Sequence, residues 1–270
     1  MVRVDDALAA AFPGAGQRTV RMIETGWDTV AVAVDGDWIL RVARRDVVAA
    51  RYQIEAALVP ELAPTLPLAI PVPLRVGDGW ILTRRIPGEP FADQPEAATF
   101  GSQLGTFMRR LHDFPVQRAR ELGAAVDERT RDAQEFRSSV LPLLELDEQG
   151  HAAQLLEEYE RQAFDPAVIH MDIGPEHVLV EDARVTGVID WTDARIGDPA
   201  IDLAWPLHGA PPAFARAVAE AYGVGAALLR RARVYHAVSP WHEVVHGLEA
   251  DPSWIERGLA GIRERMAAMT

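Results

Sequence analysis

The chain has 270 residues and a formal charge of −13, from 40 acidic residues against 27 basic ones. All 27 basic residues are arginine, and lysine and cysteine are absent, which excludes Schiff-base lysines, a phosphate loop ending in Gly-Lys-Ser/Thr, thiolate catalysis and thiolate zinc sites. The length suits one large domain or two modest ones, and the anionic balance argues against a nucleic-acid partner and favours cationic small molecules.

Near the start, Asp5 and Asp6 stand where a secretory leader would be basic, and Pro13 cuts a short apolar run. No uninterrupted run of about 18 apolar residues occurs, so the expectation is a cytoplasmic protein without a membrane span.

Residues 1–85 read as strand-rich with one helix. Arg18–Glu24 and Thr29–Val34 are alternating or β-branched runs, Asp35-Gly36-Asp37 signals a tight turn, and Trp38–Val42 returns as a strand. A helix is expected over Asp46–Leu62, with Asp46 as its N-cap and Pro64 beyond its end. Val72–Val76 and Trp80–Thr83 flank the turn Gly77-Asp78-Gly79 as a second hairpin.

Residues 86–95 carry three prolines and a glycine, a linker composition. Beyond them the periodicity is helical: Phe100, Leu104, Phe107, Met108 and Leu111 mark one buried helix face, and weaker patterns cover 127–146, 149–163, 211–221, 225–238 and 253–267. One β island interrupts them, with strands at Val168–His170, His177–Val180 and Val185–Ile189, then a loop over Asp190–Asp198. The organisation expected is a small β-rich unit (1–85), a linker (86–95) and a larger helical unit (96–270).

The island carries the chemistry. A bare His170-x-Asp172 triplet is uninformative in a chain with eight histidines, but the geometry after it adds to it. A four-residue turn at Glu181–Arg184 sets Val180 against Val185 and, counted back, His177 against Val188. Asp190 then emerges at the same end as His177, with opposed Cα atoms about 4.5–5.5 Å apart. Asp172, His177 and Asp190 converge on a volume suited to hydrated Mg²⁺, which shares its coordination with substrate phosphates. A carboxylate at Asp172 not committed to metal accepts a proton from a hydroxyl nucleophile, and the set is the minimum apparatus for phosphoryl transfer. An exposed hairpin with an acidic tip accounts for the same spacing.

The run VIHMDIGPEHVLVEDARVTGVIDW resembles the H-x-D-x-x-x-x-N plus I-D-W signature of the aminoglycoside and macrolide phosphotransferases. GWDTVAVAVDGDWILRVARR, IEAALVPEL, WILTRRIPGEPF, LGTFMRRLHDFP and GDPAIDLAW are similar in order to further segments of that family. The resemblance implies an α+β, two-lobed, protein-kinase-like fold with a β-rich N-lobe and a mainly helical C-lobe. It implies Mg²⁺-dependent transfer of the γ-phosphate of ATP or GTP to a hydroxyl of an antibiotic-like acceptor, conferring resistance. A kinase of choline or a sugar, or a silent nucleotide-binding protein, are the alternatives.

Carried over by position, the resemblance implies Asp172 as catalytic base, Asp190 as magnesium ligand and His177 as second ligand where most members have asparagine. Arg41 stands at the place of the lysine that grips the α- and β-phosphates, with Glu55 as its partner. Backbone near Thr83 and Arg84 would bind the purine, His170 would support the catalytic loop, and Asp198 and Asp202 would brace it from below. Met171 replaces a usual glycine, which implies that the backbone there needs no positive φ. Alternation along Ile39–Val42 does not decide which way Arg41 points. The nucleotide-covering loop is expected around Thr25–Asp28. Finally, His242-Glu243-x-x-His246 matches a zinc-protease motif, but it follows Pro240 in a chain whose remaining order fits the kinase-like fold.

Overall fold

A computed structural model describes residues 3–14, 16–25 and 28–269. The chain opens with helix α1 (Val4–Ala11), strands β1 (Val20–Thr25), β2 (Thr29–Val34) and β3 (Trp38–Ala43), and helix α2 (Asp46–Leu62). Strands β4 (Pro73–Gly77) and β5 (Trp80–Arg84) complete an antiparallel five-stranded sheet of order β1-β2-β3-β5-β4. Strand β6 (Glu89–Pro90) then leads to α3 (Ala97–His112), α4 (Val116–Glu121), α5 (Arg129–Glu135) and α6 (Leu146–Arg161). The island comprises β7 (Ala167–Ile169), β8 (Val178–Glu181), β9 (Arg184–Val188) and β10 (Arg195–Gly197). Helices α7 (Ala204–His208), α8 (Pro212–Tyr222), α9 (Ala226–Glu249) and α10 (Ser253–Ala267) finish the fold. The architecture is α+β and two-lobed, and among the described residues no helix is long and apolar enough to cross a membrane.

The period-two pattern of the sheet sorts its residues onto two covered faces. Val32, Val34, Leu40, Val42, Trp80 and Leu82 pack with Ala7 and Ala11 of α1. The opposite face places Ala43 and Ile81 against Val48 and Tyr52 of α2. Helix α1 was not anticipated, since the first 85 residues promised one helix; its eight residues cover a face that would otherwise meet solvent. Asp46 is the first helical residue of α2, where it favours the positive end of the helix dipole; the N-cap position is Arg45, with no side-chain cap.

The large lobe is built around the contact of α3 with α8. Gly101 and Gly105 sit one turn apart on α3, and a Cβ at Gly101 would lie 2.3 Å from the Phe214 carbonyl oxygen, one at Gly105 2.7 Å from that of Val218. Side-chain-free positions are therefore what lets the two backbones touch. The helix expected over 127–146 is instead α5 followed by a π turn at 136–140 and a 3₁₀ turn at 141–143, and the pattern at 225–238 continues through Pro240 to Glu249. The bundle carries the island on its inner side, with α3 against β7 and β9.

Candidate active site

Arg41 lies on β3 opposite Ala31 and Ile81, on the face that looks toward α2. Packing of its neighbours Leu40 and Val42 against α1 consumes the other face and so settles the direction that alternation left open. Only 9% of Arg41 and 2% of Glu55 is exposed. Its Nη2 donates to Glu55 Oε1, and its Nη1 donates to Thr192 Oγ1 at 2.9 Å and reaches Asp190 Oδ1 at 3.5 Å. Burial opposes the charge on Arg41, but Glu55 and Asp190 outweigh it and hold the guanidinium protonated. Burial also pushes the Glu55 carboxyl up, with Arg41 offsetting it in part; since a guanidinium does not deprotonate, the pair is ionic. Tyr52 lies 5.3 Å under the guanidinium carbon.

The loop after β7 is pinned from beneath. Asp202, fully buried, accepts from the backbone N–H groups of His170 and Met171, both at 2.8 Å, and from His112 Nε2 at 3.0 Å. Met171 has φ of 81°, so the expectation of no positive φ at that position is overturned; the Asp172 N–H that follows it turns back onto His170 Nδ1. His170 is fully buried; its Nδ1 accepts from Asp172 N–H at 3.3 Å while its Nε2 donates to the Ile189 carbonyl at 2.9 Å. Burial keeps it neutral by lowering its pKa, and a neutral ring with one donor and one acceptor is what this arrangement requires. Asp198 is also buried, held by Arg231 Nε at 2.8 Å and by the Tyr235 hydroxyl at 3.3 Å.

Strands β8 and β9 meet in the expected turn, Glu181 opposite Arg184 and Val180 opposite Val185, with Asp182 and Ala183 both left-handed. The ladder then slips by one between Leu179 and Val180, so Val178, not His177, faces Val188. This corrects the register counted from the turn; a bulge leaves no trace in hydrophobic alternation. His177 ends a 3₁₀ turn just before β8, and its carbonyl accepts from Ile189 N–H at 2.9 Å. The convergence survives the slip. His177 Nδ1 lies 2.8 Å from the Asp172 carbonyl oxygen and 3.4 Å from Asp172 Oδ2, while its Nε2 lies 3.9 Å from Asp190 Oδ2.

The two carboxylates differ in character. Desolvation by the cleft walls raises the Asp172 pKa, against the pull of His177 and His170, although 61% of its side chain is open to the cleft. Burial works the same way on Asp190, but there Arg41, aided by His177, outweighs it and the pKa falls below the ordinary value. One carboxylate is poised to take a proton; the other stays ionised beside cations.

A family model described as phosphotransferase enzyme family matches residues 19–241. The chain belongs to that family. It is similar to the solved GDP complex of wild-type aminoglycoside 2'-phosphotransferase-IIIa, with a TM-score of 0.87 and 25% identity over 98% of each chain. The apoenzyme of macrolide 2'-phosphotransferase MphH from Brachybacterium faecium gives a TM-score of 0.74 at 26% identity, over 94% of this chain and 96% of that one. Viomycin phosphotransferase of Streptomyces vinaceus is 33% identical over 143 residues, 46% of this chain and 48% of that one, so the match spans about half of that relative. This phosphotransferase is thus an enzyme with the kinase-like fold of antibiotic kinases.

The residues of the phosphotransferase fit a magnesium ion. His177 Nε2 and Asp190 Oδ2 lie 3.9 Å apart, whereas neighbouring ligands of an octahedral Mg²⁺ with bonds of about 2.0–2.1 Å lie about 3 Å apart, so the two donors would draw together to share one ion. Among the described residues no three His, Cys, Asp or Glu side chains form a metal-holding group.

Thr83, 2% exposed, is paired with Ile39 and Pro73 on either side and shares the Arg41 face; Arg84 turns outward, its guanidinium carbon 4.6 Å over the Trp38 ring. In the expected nucleotide-covering loop, Gly26 and Trp27 lie outside the described residues. On α9, Glu243 is paired with Arg257 at 2.8 Å, and His242 and His246 pack edge-on to Phe136 and Trp254. Reading the sequence missed Thr192, which touches both Arg41 and Glu55, and His112, which meets Asp202. The signal for Thr192 was its place two residues after Asp190.

Proposed function

We propose that the protein transfers the γ-phosphate of ATP or GTP to a hydroxyl of a cationic, antibiotic-like small molecule such as an aminoglycoside or a macrolide. The observation that carries this reading is the row Asp172, His177, Asp190, Arg41, each within 3.9 Å of the next. It runs from a proton acceptor through a metal-binding pair to a phosphate-binding guanidinium.

In this reading Asp172 accepts the proton of the acceptor hydroxyl as its oxygen bonds to the γ-phosphorus and the bond to the β-phosphate oxygen breaks, leaving a nucleoside diphosphate. Asp190 and His177 hold Mg²⁺, which when bound neutralises charge on the β- and γ-phosphates. The hydrogen bond from His177 Nδ1 to the Asp172 carbonyl keeps a proton on Nδ1, and Nε2, whose protonation Asp172 and Asp190 favour, coordinates once it has released its own proton. Arg41, fixed by Glu55, grips the phosphates, and the purine lies along the cleft beside Thr83, where backbone following β5 meets it. Residues 86–95 join the two lobes and let them close.

A cationic acceptor is favoured by the global charge of −13. His242 is within electrostatic reach of Asp127, Glu135 and Asp172, and both carboxylate oxygens of Asp127 lack a hydrogen-bond partner among the described residues. Desolvation raises the Asp127 pKa, with Arg195, Arg129 and His242 offsetting it in part. The protein would be incubated with Mg²⁺ and ATP or GTP against a panel of aminoglycosides, macrolides, cationic peptide antibiotics, choline and sugars. Gain of a phosphate on one antibiotic, abolished in Asp172→Asn, is the expected result; phosphorylation of choline or a sugar alone would overturn the acceptor assignment.

A further inference from the structure

Thr192 closes a polar ring with Arg41 and Glu55. Its Oγ1 accepts from Arg41 Nη1 at 2.9 Å and stands within donor reach of two carboxylates, Glu55 Oε2 at 3.4 Å and that of Asp190. The third side is the contact of Arg41 Nη2 with Glu55 Oε1. A hydroxyl suits this place because it accepts from a cation and donates to a carboxylate at the same time.

The ring decides where the guanidinium points. Arginine and carboxylate tend to pair through two parallel N–H···O bonds, which would turn a second guanidinium nitrogen onto Glu55. By accepting from Nη1 at 2.9 Å, Thr192 ties that nitrogen to the side of Asp190, whose Oδ1 is 3.5 Å away, while Nη2 meets Glu55. A lysine, with one terminal nitrogen, has no such choice to make. The threonine itself is held: the next residue, Asp193, receives Arg51 of α2 at 2.6 Å and Arg195 at 3.0 Å. The cavity between α2 and residues 191–195 is only about 30 Å³.

We propose that Thr192 is a positioning residue that aims Arg41 Nη1 at the nucleotide phosphates, and that it is what fits an arginine to this task. The proposal rests on the nucleotide-binding reading above. It predicts coupling between positions 41 and 192 that exists only with arginine present.

The test is calorimetric titration with Mg·ADP and Mg·GDP, alongside thermal unfolding. It compares the wild type, Thr192→Val, Thr192→Ser, Arg41→Lys and the double variant Arg41→Lys/Thr192→Val. Thr192→Val is expected to weaken diphosphate binding about tenfold, the worth of one charged hydrogen bond. Thr192→Ser is expected to stay within about twofold of the wild type, and in the Arg41→Lys background the valine is expected to change affinity by less than about twofold. In turnover assays the nucleotide KM rises with Thr192→Val while kcat changes little. Where the valine variant fails to fold, Thr192→Ala removes the hydroxyl without adding a methyl. Unchanged affinity in Thr192→Val, or equal weakening in both backgrounds with a lowered Tm, overturns the proposal. Wild-type protein that binds neither diphosphate overturns the nucleotide reading and the proposal with it.

Discussion

Asp202 anchors the backbone just where it turns left-handed: the Met171 N–H donates to Asp202 Oδ1 at 2.8 Å, and Met171 itself has φ of 81°. The same carboxylate takes the His170 N–H at Oδ2, so one buried group shapes the turn that delivers Asp172 to the cleft. Left-handed backbone costs a residue with a Cβ about 1–2 kcal/mol, which the two hydrogen bonds to a charged acceptor offset. Met171→Gly is therefore expected to keep or raise Tm, and Met171→Val, whose branched Cβ is worse there, to lower stability by about 1 kcal/mol or more. Urea unfolding of the two variants checks the order; equal stabilities would show that φ at this position costs nothing.

Asp172→Asn removes the proton acceptor while retaining the side chain's shape. The expected loss is about 10²–10⁴ in kcat, the usual worth of a general base, with nucleotide affinity nearly unchanged. Steady-state kinetics against each purine nucleotide, paired with calorimetry, separates the two quantities. A variant that retains half its turnover would remove Asp172 from the base role.

Arg51 on α2 meets Asp193 at 2.6 Å, both side chains being about a third exposed. Water screens such a pair, so a double-mutant cycle with Arg51→Ala and Asp193→Ala is expected to give a coupling of about 0.2–1 kcal/mol, shrinking in high salt. Chemical denaturation at two salt concentrations measures it.

Gly101→Ala drives a Cβ to within 2.3 Å of the Phe214 carbonyl oxygen. Backbone cannot yield as a side-chain tip does, so α3 and α8 must separate, at a cost of about 1–3 kcal/mol. Tm is the readout, and catalytic constants per folded molecule are expected to stay near wild type, because the contact is remote from Asp172.

Burial lowers His236 from its ordinary value of 6.5 to about 4, with Arg265 and His208 adding to the effect. Between those pH values the unfolded chain binds more protons at this site than the folded one, so the stability is whole above about pH 6.5 and declines as pH falls toward 4. In His236→Gln the loss of stability between pH 7 and pH 5 is expected to be smaller than in the wild type, read from urea midpoints. His170 and His208, also lowered by burial, leave a residual slope.

The sequence by itself determined the strand and helix alternation, the turn at Glu181–Arg184 and the approach of Asp172, His177 and Asp190, because these depend on periodicity and short-range spacing. It also held the ordered segments from Gly26 to Trp205 that resemble the phosphotransferases. Tertiary structure decided the rest. Arg41 and Thr192 are 151 positions apart, and no local pattern marks a hydroxyl that serves an arginine at that distance. The direction of Arg41 followed only once α1 had covered the opposite sheet face. The slipped register at Leu179–Val180, the left-handed Met171 and the bonds of the His170 and Met171 N–H groups to Asp202, more than 30 positions away, are visible only in the folded chain. Such partners offset local strain that propensity would count against them, which is why the absent lysine could be noticed in the composition but explained only in the folded chain.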